Sequence, residues 1–341
     1  MNYNPNELHV MYCCSDLFAE VLAVSIVSLF ENNKSFDSIT VHVFDDKITE
    51  ENKAKLNSIS ERYNRSINYI ALPNPSKYFN DNRFTIKSLG HTYARLIVGD
   101  VCNNINRIIC LDSDTMIFED IHELWTTDLD GYYMAGVDDC MGAETMEKIL
   151  GVPKENNHCN AGMFLMDLEQ WRLNNLGEVF ASYMVDVFNK NKPLSFYEEE
   201  VINNTIIEKI RIVSPKFDFM TVDAVFSYEE VLKFRKPFKY YSKEEMLEAK
   251  NKPYIVHTTT LFYVRRRIFE EKSDHPFRPQ YLQFKSMTPW SGEICKISQR
   301  SFKNNMIKTF WHCMPRRMAI WLAAFVRNKI RPFLKKKRDD E

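Results

Sequence analysis

Glycine is scarce in this 341-residue chain, and its spacing excludes several common phosphate-binding loops. Only nine glycines are present, and they form neither G-x-G-x-x-G nor the phosphate loop G-x-x-x-x-G-K-[ST]. The sequence also lacks the zinc-binding helix H-E-x-x-H and the nucleophile turn G-x-S-x-G. Ordinary dinucleotide enzymes, phosphate-loop NTPases, zincins and α/β-hydrolases are therefore excluded.

Disulfide pairs and membrane spans are also not indicated. The eight cysteines contain no C-x-x-C pair, and most lie in apolar runs, which predicts reduced thiols. The longest nearly apolar runs, 21–30 and 318–326, are about half the length of a bilayer-spanning helix, which needs about 20 residues. The polar first residues do not resemble a secretory signal. We therefore expect a cytoplasmic protein.

The net charge of −1 hides an uneven distribution. Residues 296–338 contain thirteen Lys or Arg and no Asp or Glu, and apolar residues recur among them every three to four positions. This pattern is typical of a basic amphipathic helix lying in the plane of an anionic membrane. We predict a catalytic domain at 1–290 and a membrane-association tail at 291–341. The alternative is a helix whose apolar stripe packs on the domain. We do not expect nucleic-acid binding, because no groove-reading motif is present.

Strand-like and helix-like segments alternate through the first part of the chain, which predicts an α/β fold with a parallel sheet. The predicted strands are 8–14, 39–44, 67–72, 107–111, 161–166 and 254–256, and the predicted helices include 49–63, 92–101, 168–189 and 198–209. Ligands of such sheets bind beyond the carboxyl ends of the strands. The residues that follow the predicted strands are therefore the first candidates for a site.

Asp112, Ser113 and Asp114 directly follow the apolar strand 107–111. In an extended segment, residues two apart point to the same side, so both carboxylates can bind one divalent cation. The alternative is a turn or a helix cap, where Asp and Ser are common. The position at the end of a buried strand favours the metal site.

His257 ends a second apolar strand and is either a buried core residue or a third ligand. A site of two carboxylates and one imidazole suits Mn²⁺, with Mg²⁺ as the alternative ion. Three protein ligands would leave coordination positions for a diphosphate, on which the ion would stabilise negative charge.

Three further segments carry candidate side chains. Glu198, Glu199 and Glu200 begin a helix, where acidic residues are also favoured by the helix dipole. One of these carboxylates could face an anomeric carbon. Asn160 precedes the strand 161–166, and Arg95 is either a surface arginine or a contact for phosphate or sugar oxygens.

Taken together, these segments resemble glycosyltransferase family 8, the lipopolysaccharide galactosyl- and glucosyltransferase group that also includes glycogenin. The similarity follows the family's order from residue 8 to residue 290, in the segments 11–19, 92–96, 109–115, 160–168 with 171–172, 198–203, 256–257, 275–277 and 288–290. The resemblance implies a GT-A fold, which is a Rossmann-like, mixed and mostly parallel sheet flanked by helices. It also implies transfer of a hexose from a UDP-sugar with retention.

The resemblance assigns roles to individual residues. Asp112, Asp114 and His257 match the Mn²⁺ ligands, and Glu198 and Glu199 match the catalytic pair beneath the donor sugar. The implied donor-binding residues are Tyr12, Cys13, Cys14, Asp16, Phe18, Lys87, Arg95, Asp112, Ser113, Asn160 and Arg265.

The sequence departs from the family pattern at three places. Glu199 replaces a glutamine in the family's D-Q-D, and only the second residue of an Asp-Asp pair is retained at Ser15-Asp16. The family's lysine after the metal histidine is missing. We hypothesise that one arginine of 265–267 supplies the lost diphosphate contact.

The resulting prediction is a retaining, metal-dependent transferase of galactose or glucose. Its acceptor would be a lipopolysaccharide, capsule-type or lipid-linked glycan at the cytoplasmic face of the inner membrane. The alternatives are a glycogenin-like primer that glucosylates itself, a nucleotidyltransferase, and a catalytically silent membrane-bound scaffold.

Overall fold

The computed structural model describes residues 3–264, 266–295, 302–331 and 333. Its strands form two sheets that share one end. The strands are β1 (Glu7–Ser15), β2 (Ser38–Asp46), β3 (Ser66–Ala71), β4 (Arg107–Leu111), β5 (Thr115–Ile117), β6 (Met134–Asp138), β7 (Cys159–Asp167), β8 (Ile210–Ile212), β9 (Phe219–Met220) and β10 (Ile255–His257).

The larger sheet has the strand order β3-β2-β1-β4-β7-β6-β8. Four of its pairings are parallel, whereas β7 runs antiparallel to both of its neighbours, β4 and β6. This confirms the predicted mixed, mostly parallel sheet. The smaller sheet has the order β5-β10-β9, and three residues separate its strand β5 from β4 of the larger sheet. The segment between β4 and β5 therefore lies where the two sheets meet.

Helices cover both faces of the larger sheet. They are α1 (Ala19–Asn32), α2 (Glu50–Tyr63), α3 (Pro75–Tyr78), α4 (Ile86–Leu89), α5 (Val98–Val101), α6 (His122–Trp125), α7 (Ala143–Thr145), α8 (Leu168–Leu173), α9 (Leu176–Asn189), α10 (Tyr197–Ile206), α11 (Thr221–Val225), α12 (Tyr228–Arg235), α13 (Lys243–Asn251), α14 (Arg278–Ser286), α15 (Phe302–Cys313) and α16 (Arg316–Phe325). Short 3₁₀ helices add Asp16–Phe18, His91–Leu96, Ile207–Lys209 and Pro215–Phe217, and π-helical turns add Met146–Leu150 and Val326–Ile330.

Local chemistry explains where several helices begin and end. Thr49 caps α2 as predicted, because its hydroxyl accepts the backbone N–H of Asn52. The predicted helix 168–189 is instead two helices, because Asn175 adopts a left-handed backbone (φ 49°) that a continuous helix does not allow. The predicted helix 92–101 is a 3₁₀ segment followed by the short α5. Strands β5, β6, β8 and β9 were not among the predicted strands.

Helix α16 of the tail packs on α12 of the main body. Four small or apolar residues on its inner face are buried, namely Ala319, Ile320, Ala323 and Ala324. Arg316 also forms a bidentate ion pair with Glu230 at 2.7–2.8 Å. The opposite face is exposed and apolar, with Met318, Trp321 and Phe325 between 45% and 66% accessible. One face of α16 therefore packs on the main body, as in the alternative interpretation of the tail. The other face is exposed, as contact with a membrane would require.

Among the described residues, no helix has the length and apolarity that crossing a bilayer requires. The predicted boundary between catalytic domain and tail at residue 290 stays a prediction. Cys295, which lies beyond this boundary, is still buried in the main body.

Candidate active site

The two sheets bring three predicted metal ligands together. Asp112 and Asp114 lie in the turn between β4 and β5, and β10 pairs antiparallel with β5 so that His257 stands opposite Thr115. His257 Nε2 is 3.2 Å from Asp112 Oδ2 and 3.4 Å from Asp114 Oδ1. One ligand atom from each residue lies within 4.8 Å of the others. Two carboxylate oxygens and one imidazole nitrogen at this spacing can hold a divalent cation such as Mn²⁺.

Two neighbours orient the histidine ring. Asp218, which is fully buried, places Oδ1 3.2 Å from His257 Nδ1, on the side opposite the other two carboxylates. A carboxylate at Nδ1 keeps the proton there and leaves Nε2 free as a ligand. Gly162 lies against the ring, and a Cβ at this position would collide with Nδ1. The site is therefore built around the imidazole in one orientation.

Electrostatics at this cluster favour a cation. Burial alone would lower the pKa of His257, but the carboxylates of Asp218, Asp112 and Asp114 raise it well above its usual value. Burial would likewise raise the pKa of Asp112, yet Arg95 and His257 hold it well below the ordinary range. The concentrated negative charge that keeps a proton on His257 is the property that a divalent cation requires.

Arg95 joins the metal cluster to the glutamate segment. Its guanidinium is 2% exposed and donates to Asp112 Oδ1 at 2.6 Å and to Glu198 Oε1 at 2.9 Å. The Thr92 hydroxyl donates to the other oxygen of Glu198 at 2.5 Å. Burial raises the pKa of Glu198, and Arg95 opposes this shift. Arg95 thus fixes Glu198 beside the metal ligands, and its exposure shows that it is not the surface arginine of the alternative interpretation.

Glu199 is held by donors from the β7 segment. One of its oxygens is 3.0 Å from His158 Nε2, and the other accepts the backbone N–H of Ala161 at 3.1 Å and the amide of Asn160 at 3.3 Å. Burial would lower the pKa of His158, but the hydrogen bond to Glu199 and the charges of Glu199, Asp139 and Asp138 together raise it. The fold therefore brings Asn160 and Glu199 into contact.

The rest of α10 explains this placement. Glu200 turns away and accepts the backbone N–H groups of Ser195 and Phe196, so it stabilises the start of the helix. Asn203 bonds both the N–H and the C=O of Cys159, which ties α10 to β7. Tyr197, directly before the glutamates, has φ +49° and is 47% exposed. A left-handed tyrosine is uncommon, and its position beside Glu198 marks a constrained segment.

The predicted nucleotide segment at the end of β1 divides into buried and accessible parts. The Tyr12 ring lies in the core with its hydroxyl 2.9 Å from Ser25 Oγ, so a donor contact through this ring does not fit. Cys14 is buried as well, whereas Cys13 is partly accessible and Phe18 packs edge-on against Phe269. Asp16 accepts hydrogen bonds from Thr49 and Asn52 at 2.8 Å, which links β1 to α2.

The remaining predicted donor residues lie at different distances from the cluster. Ser113 donates to the Cys13 carbonyl at 3.0 Å, which joins β1 to the metal turn. Lys87 is exposed on α4, which contacts α10. Arg265 lies outside the described residues. Arg266 and Arg267 line a small cavity with Thr259 and Thr260, close to the metal histidine in sequence.

Sequence reasoning missed the residues that support the site. Asp218 carries no local motif, and only the fold brings it to His257. Thr92 lies in the segment 92–96 that resembles the family, but its contact with Glu198 follows from the fold. His158 lies two residues before Asn160 and directly before a buried strand. This position could have identified it as a candidate site residue.

The comparisons with known proteins agree with this geometry. The model of glycosyl transferase family 8 matches residues 9–262. General stress protein A of Bacillus subtilis (strain 168) is 23% identical over 287 residues, which is 83% of this chain and 95% of that protein. A lipopolysaccharide 1,2-glucosyltransferase of Escherichia coli is 24% identical over 58% of each chain.

Solved structures share the fold. The bifunctional glycosyltransferase WbbM has a TM-score of 0.69 at 19% identity, over 88% of this chain and 52% of that one. The galactosyltransferase LgtC, in complex with donor and acceptor sugar analogues, has a TM-score of 0.66 at 16% identity, over 88% of this chain and all of that one. With the family model covering most of its length, this chain belongs to glycosyl transferase family 8 and has the GT-A fold of its structural neighbours.

Proposed function

We propose that the protein is a retaining, Mn²⁺-dependent hexosyltransferase that moves galactose or glucose from a UDP-sugar to a lipopolysaccharide, capsule-type or lipid-linked glycan. The observation that carries this proposal is the cluster of Asp112, Asp114 and His257 at the end of β4. Mg²⁺ is the alternative ion. The cation would stabilise the charge that develops on the departing diphosphate.

The chain's own residues would then perform three tasks. Asp112, Asp114 and His257 hold the ion on the diphosphate, and Ser113 and Cys13 lie where β1 meets this turn. Arg95 fixes Glu198 next to the ion. Glu199 lies on the other side of this bridge, with one oxygen bonded to His158. A carboxylate in this position is placed to stabilise a cationic anomeric carbon or to attack it.

We propose further that the tail holds the enzyme on the cytoplasmic face of an anionic membrane. The outer face of α16 supports this, because Trp321 and Phe325 stack with centroids 6.0 Å apart and remain exposed. Exposed aromatic residues next to a cationic segment are typical of helices that lie in a membrane interface. Such a location would bring the site to lipid-linked acceptors.

A donor assay tests the proposal. The full chain is incubated with a panel of UDP-sugars and Mn²⁺, and released UDP is measured. We expect hydrolysis or transfer with UDP-galactose or UDP-glucose, and loss of at least about 100-fold in Asp114→Ala, because electrostatic stabilisation of a leaving group supplies several kcal/mol. Activity that does not depend on the metal in either protein would contradict the proposal.

Three further outcomes separate the alternatives. A gain of mass by the intact protein during incubation with UDP-glucose would indicate a primer that glucosylates itself. Full activity of Glu199→Gln would exclude Glu199 as an obligatory nucleophile. A chain that binds UDP-sugars with Mn²⁺ but never releases UDP would be a scaffold.

A further inference from the structure

A cavity of about 470 Å³ lies between the main body and the tail. Its size is within the range of about 300–1,000 Å³ that small-molecule sites occupy. The walls come from the end of α12, from the loop that follows β10, and from the helical turns after α16. Three arginines line it, Arg235, Arg327 and Arg331, together with the neighbouring threonines Thr259 and Thr260.

The protein around the cavity balances these charges only in part, through Asp139 and Asp223, which raise the pKa of Arg235. Within the described part of the chain, the ion pairs of these three residues comprise one long contact, from Arg235 Nη2 to Asp139 Oδ1 at 3.7 Å. The Nε atoms of Arg235 and Arg327 are buried without a hydrogen-bond partner. A buried guanidinium donor that lacks an acceptor costs free energy, which a ligand with anionic oxygens would recover.

The charges also repel one another. Burial, together with the cations of Arg235 and Arg331, lowers the pKa of Arg327 to about 9. The groups that face Arg327 with the opposite effect are Asp139 and the thiol of Cys140. Like charges gathered around one cavity are typical of a binding site for an anion, and arginine forks match phosphate oxygens.

The position of the cavity relates it to the loop that follows the metal ligand His257. Thr259 and Thr260, which line the cavity, follow His257 by two and three residues. On the other wall, Arg235 Nη2 lies 3.7 Å from Asp139 Oδ1, and the backbone N–H of Asp139 donates to the carbonyl of His158. His158 in turn bonds Glu199. The walls of the cavity are therefore connected to the metal strand and, through Asp139 and His158, to the glutamate.

From this arrangement we infer that the arginine pocket binds a phosphate or diphosphate group of the acceptor. The acceptor would then be a glycan linked through phosphate to a lipid, rather than a neutral oligosaccharide. This inference rests on the proposed function, because it names the substrate class of the same transfer. A phospholipid headgroup offers similar chemistry, so the experiment must distinguish the two sources.

The test compares two double variants of equal charge. R327Q/R331Q removes two cations that line the pocket, whereas R317Q/K329Q removes two exposed cations of the same helices that do not line it. Binding of inorganic pyrophosphate and of geranyl diphosphate to the full chain is measured by calorimetry in EDTA, so that no metal ion at Asp112, Asp114 and His257 binds the probes. We expect wild type and control to bind both probes, and affinity to fall at least about tenfold in R327Q/R331Q. Arg331→Gln alone, at an exposed position, is a second variant that need not disturb folding.

The remaining measurements identify the source of the phosphate and separate this inference from the proposed function. Binding to phosphatidylglycerol vesicles should be equal in the two double variants, and Mn²⁺-dependent UDP release should persist in both. The inference is overturned if wild type binds neither probe, or if the pocket variant loses vesicle binding while it keeps both probes. Loss of UDP release in wild type, with pyrophosphate binding intact, would instead contradict the proposed function.

Discussion

Asp218 lies 3.2 Å from Nδ1 of His257, on the side of the imidazole that faces away from Asp112 and Asp114. Asp218 is buried and lies between a 3₁₀ helix and β9, and no sequence pattern points to it. Its position fixes which ring nitrogen can bind a cation.

Replacing Asp218 with asparagine should weaken metal binding without removing a ligand. The amide keeps the shape of the side chain but loses the charge that orients His257, and changes of this kind cost about 10–100-fold in metal affinity. Mn²⁺ affinity is measured by calorimetry. Asp223→Asn is the control, because Asp223 is as deeply buried and forms no ion pair with His257. Equal affinity in wild type and Asp218→Asn would contradict the role.

Gly162→Ala should also weaken Mn²⁺ binding, for a steric reason. The new Cβ would collide with the His257 ring, which has no room to move because Asp218 lies behind it. We expect the Mn²⁺ affinity to fall at least about tenfold, as it does when a residue that orients a metal ligand is lost. Gly131→Ala is the control, since its Cβ meets open space while its left-handed backbone (φ 78°) costs about 1–2 kcal/mol. A variant that loses stability but not metal affinity would show that His257 can shift.

Arg95→Met should lower the free energy of unfolding by about 3–5 kcal/mol, because it leaves the buried Glu198 and the neighbouring Asp112 without their shared cation. Urea denaturation measures this change. The matched control is Arg83→Met, which breaks an exposed pair with Asp81 and should cost no more than about 1 kcal/mol. Similar losses in both variants would mean that the Arg95 bridge is not stabilising.

The stability of the protein should fall with rising pH through one buried acid. Burial raises the pKa of Asp223 to about 7 from 3.8; Arg235 and the Tyr240 hydroxyl oppose the shift, and Asp139 and Asp218 add to it. The folded state therefore holds this proton more tightly than the unfolded state. The resulting stability is complete below about pH 4 and is lost as the pH rises to about 7, by up to about 4 kcal/mol.

Asp223→Asn tests this sign, because a neutral amide does not titrate. We expect its free energy of unfolding to exceed that of wild type above pH 7 and to match it near pH 4, in urea denaturation between pH 4 and pH 8.5. The exposed Asp130→Asn should follow wild type throughout. A wild-type profile with the same slope as the Asp223→Asn profile would be the contrary result.

Trp321→Ser/Phe325→Ser should reduce partitioning onto phosphatidylglycerol vesicles at least about tenfold, because burial of each large apolar side chain is worth about 1.5–3 kcal/mol. These substitutions leave the inner face of α16 on α12 intact, whereas deletion of the tail would uncover the residues that it covers. Leu247→Ser removes an apolar side chain of 56% exposure from the main body and is the control. Unchanged co-sedimentation with vesicles would refute the membrane role.

The sequence by itself determined the long strands of the larger sheet and the candidate ligand types, but not β5, β6, β8 and β9. The apolar run before Asp112 could only be a buried strand, and the D-x-D turn and the strand ending at His257 were both evident from it. The order of weak motifs predicted the family. These features are local, because hydrophobic periodicity and turn chemistry depend on residues close in the chain.

Tertiary structure decided which side chains meet. Asp218, Gly162 and His257 are 39 to 95 residues apart in sequence, and the pairings of β10 with β5 and β9 and of β4 with β7 bring them together. The reversal of β7 places Asn160 beside Glu199, and the docking of α16 on α12 encloses the arginine pocket. Strand order and helix docking follow from how apolar surface is buried across the whole chain, so no local pattern contains them.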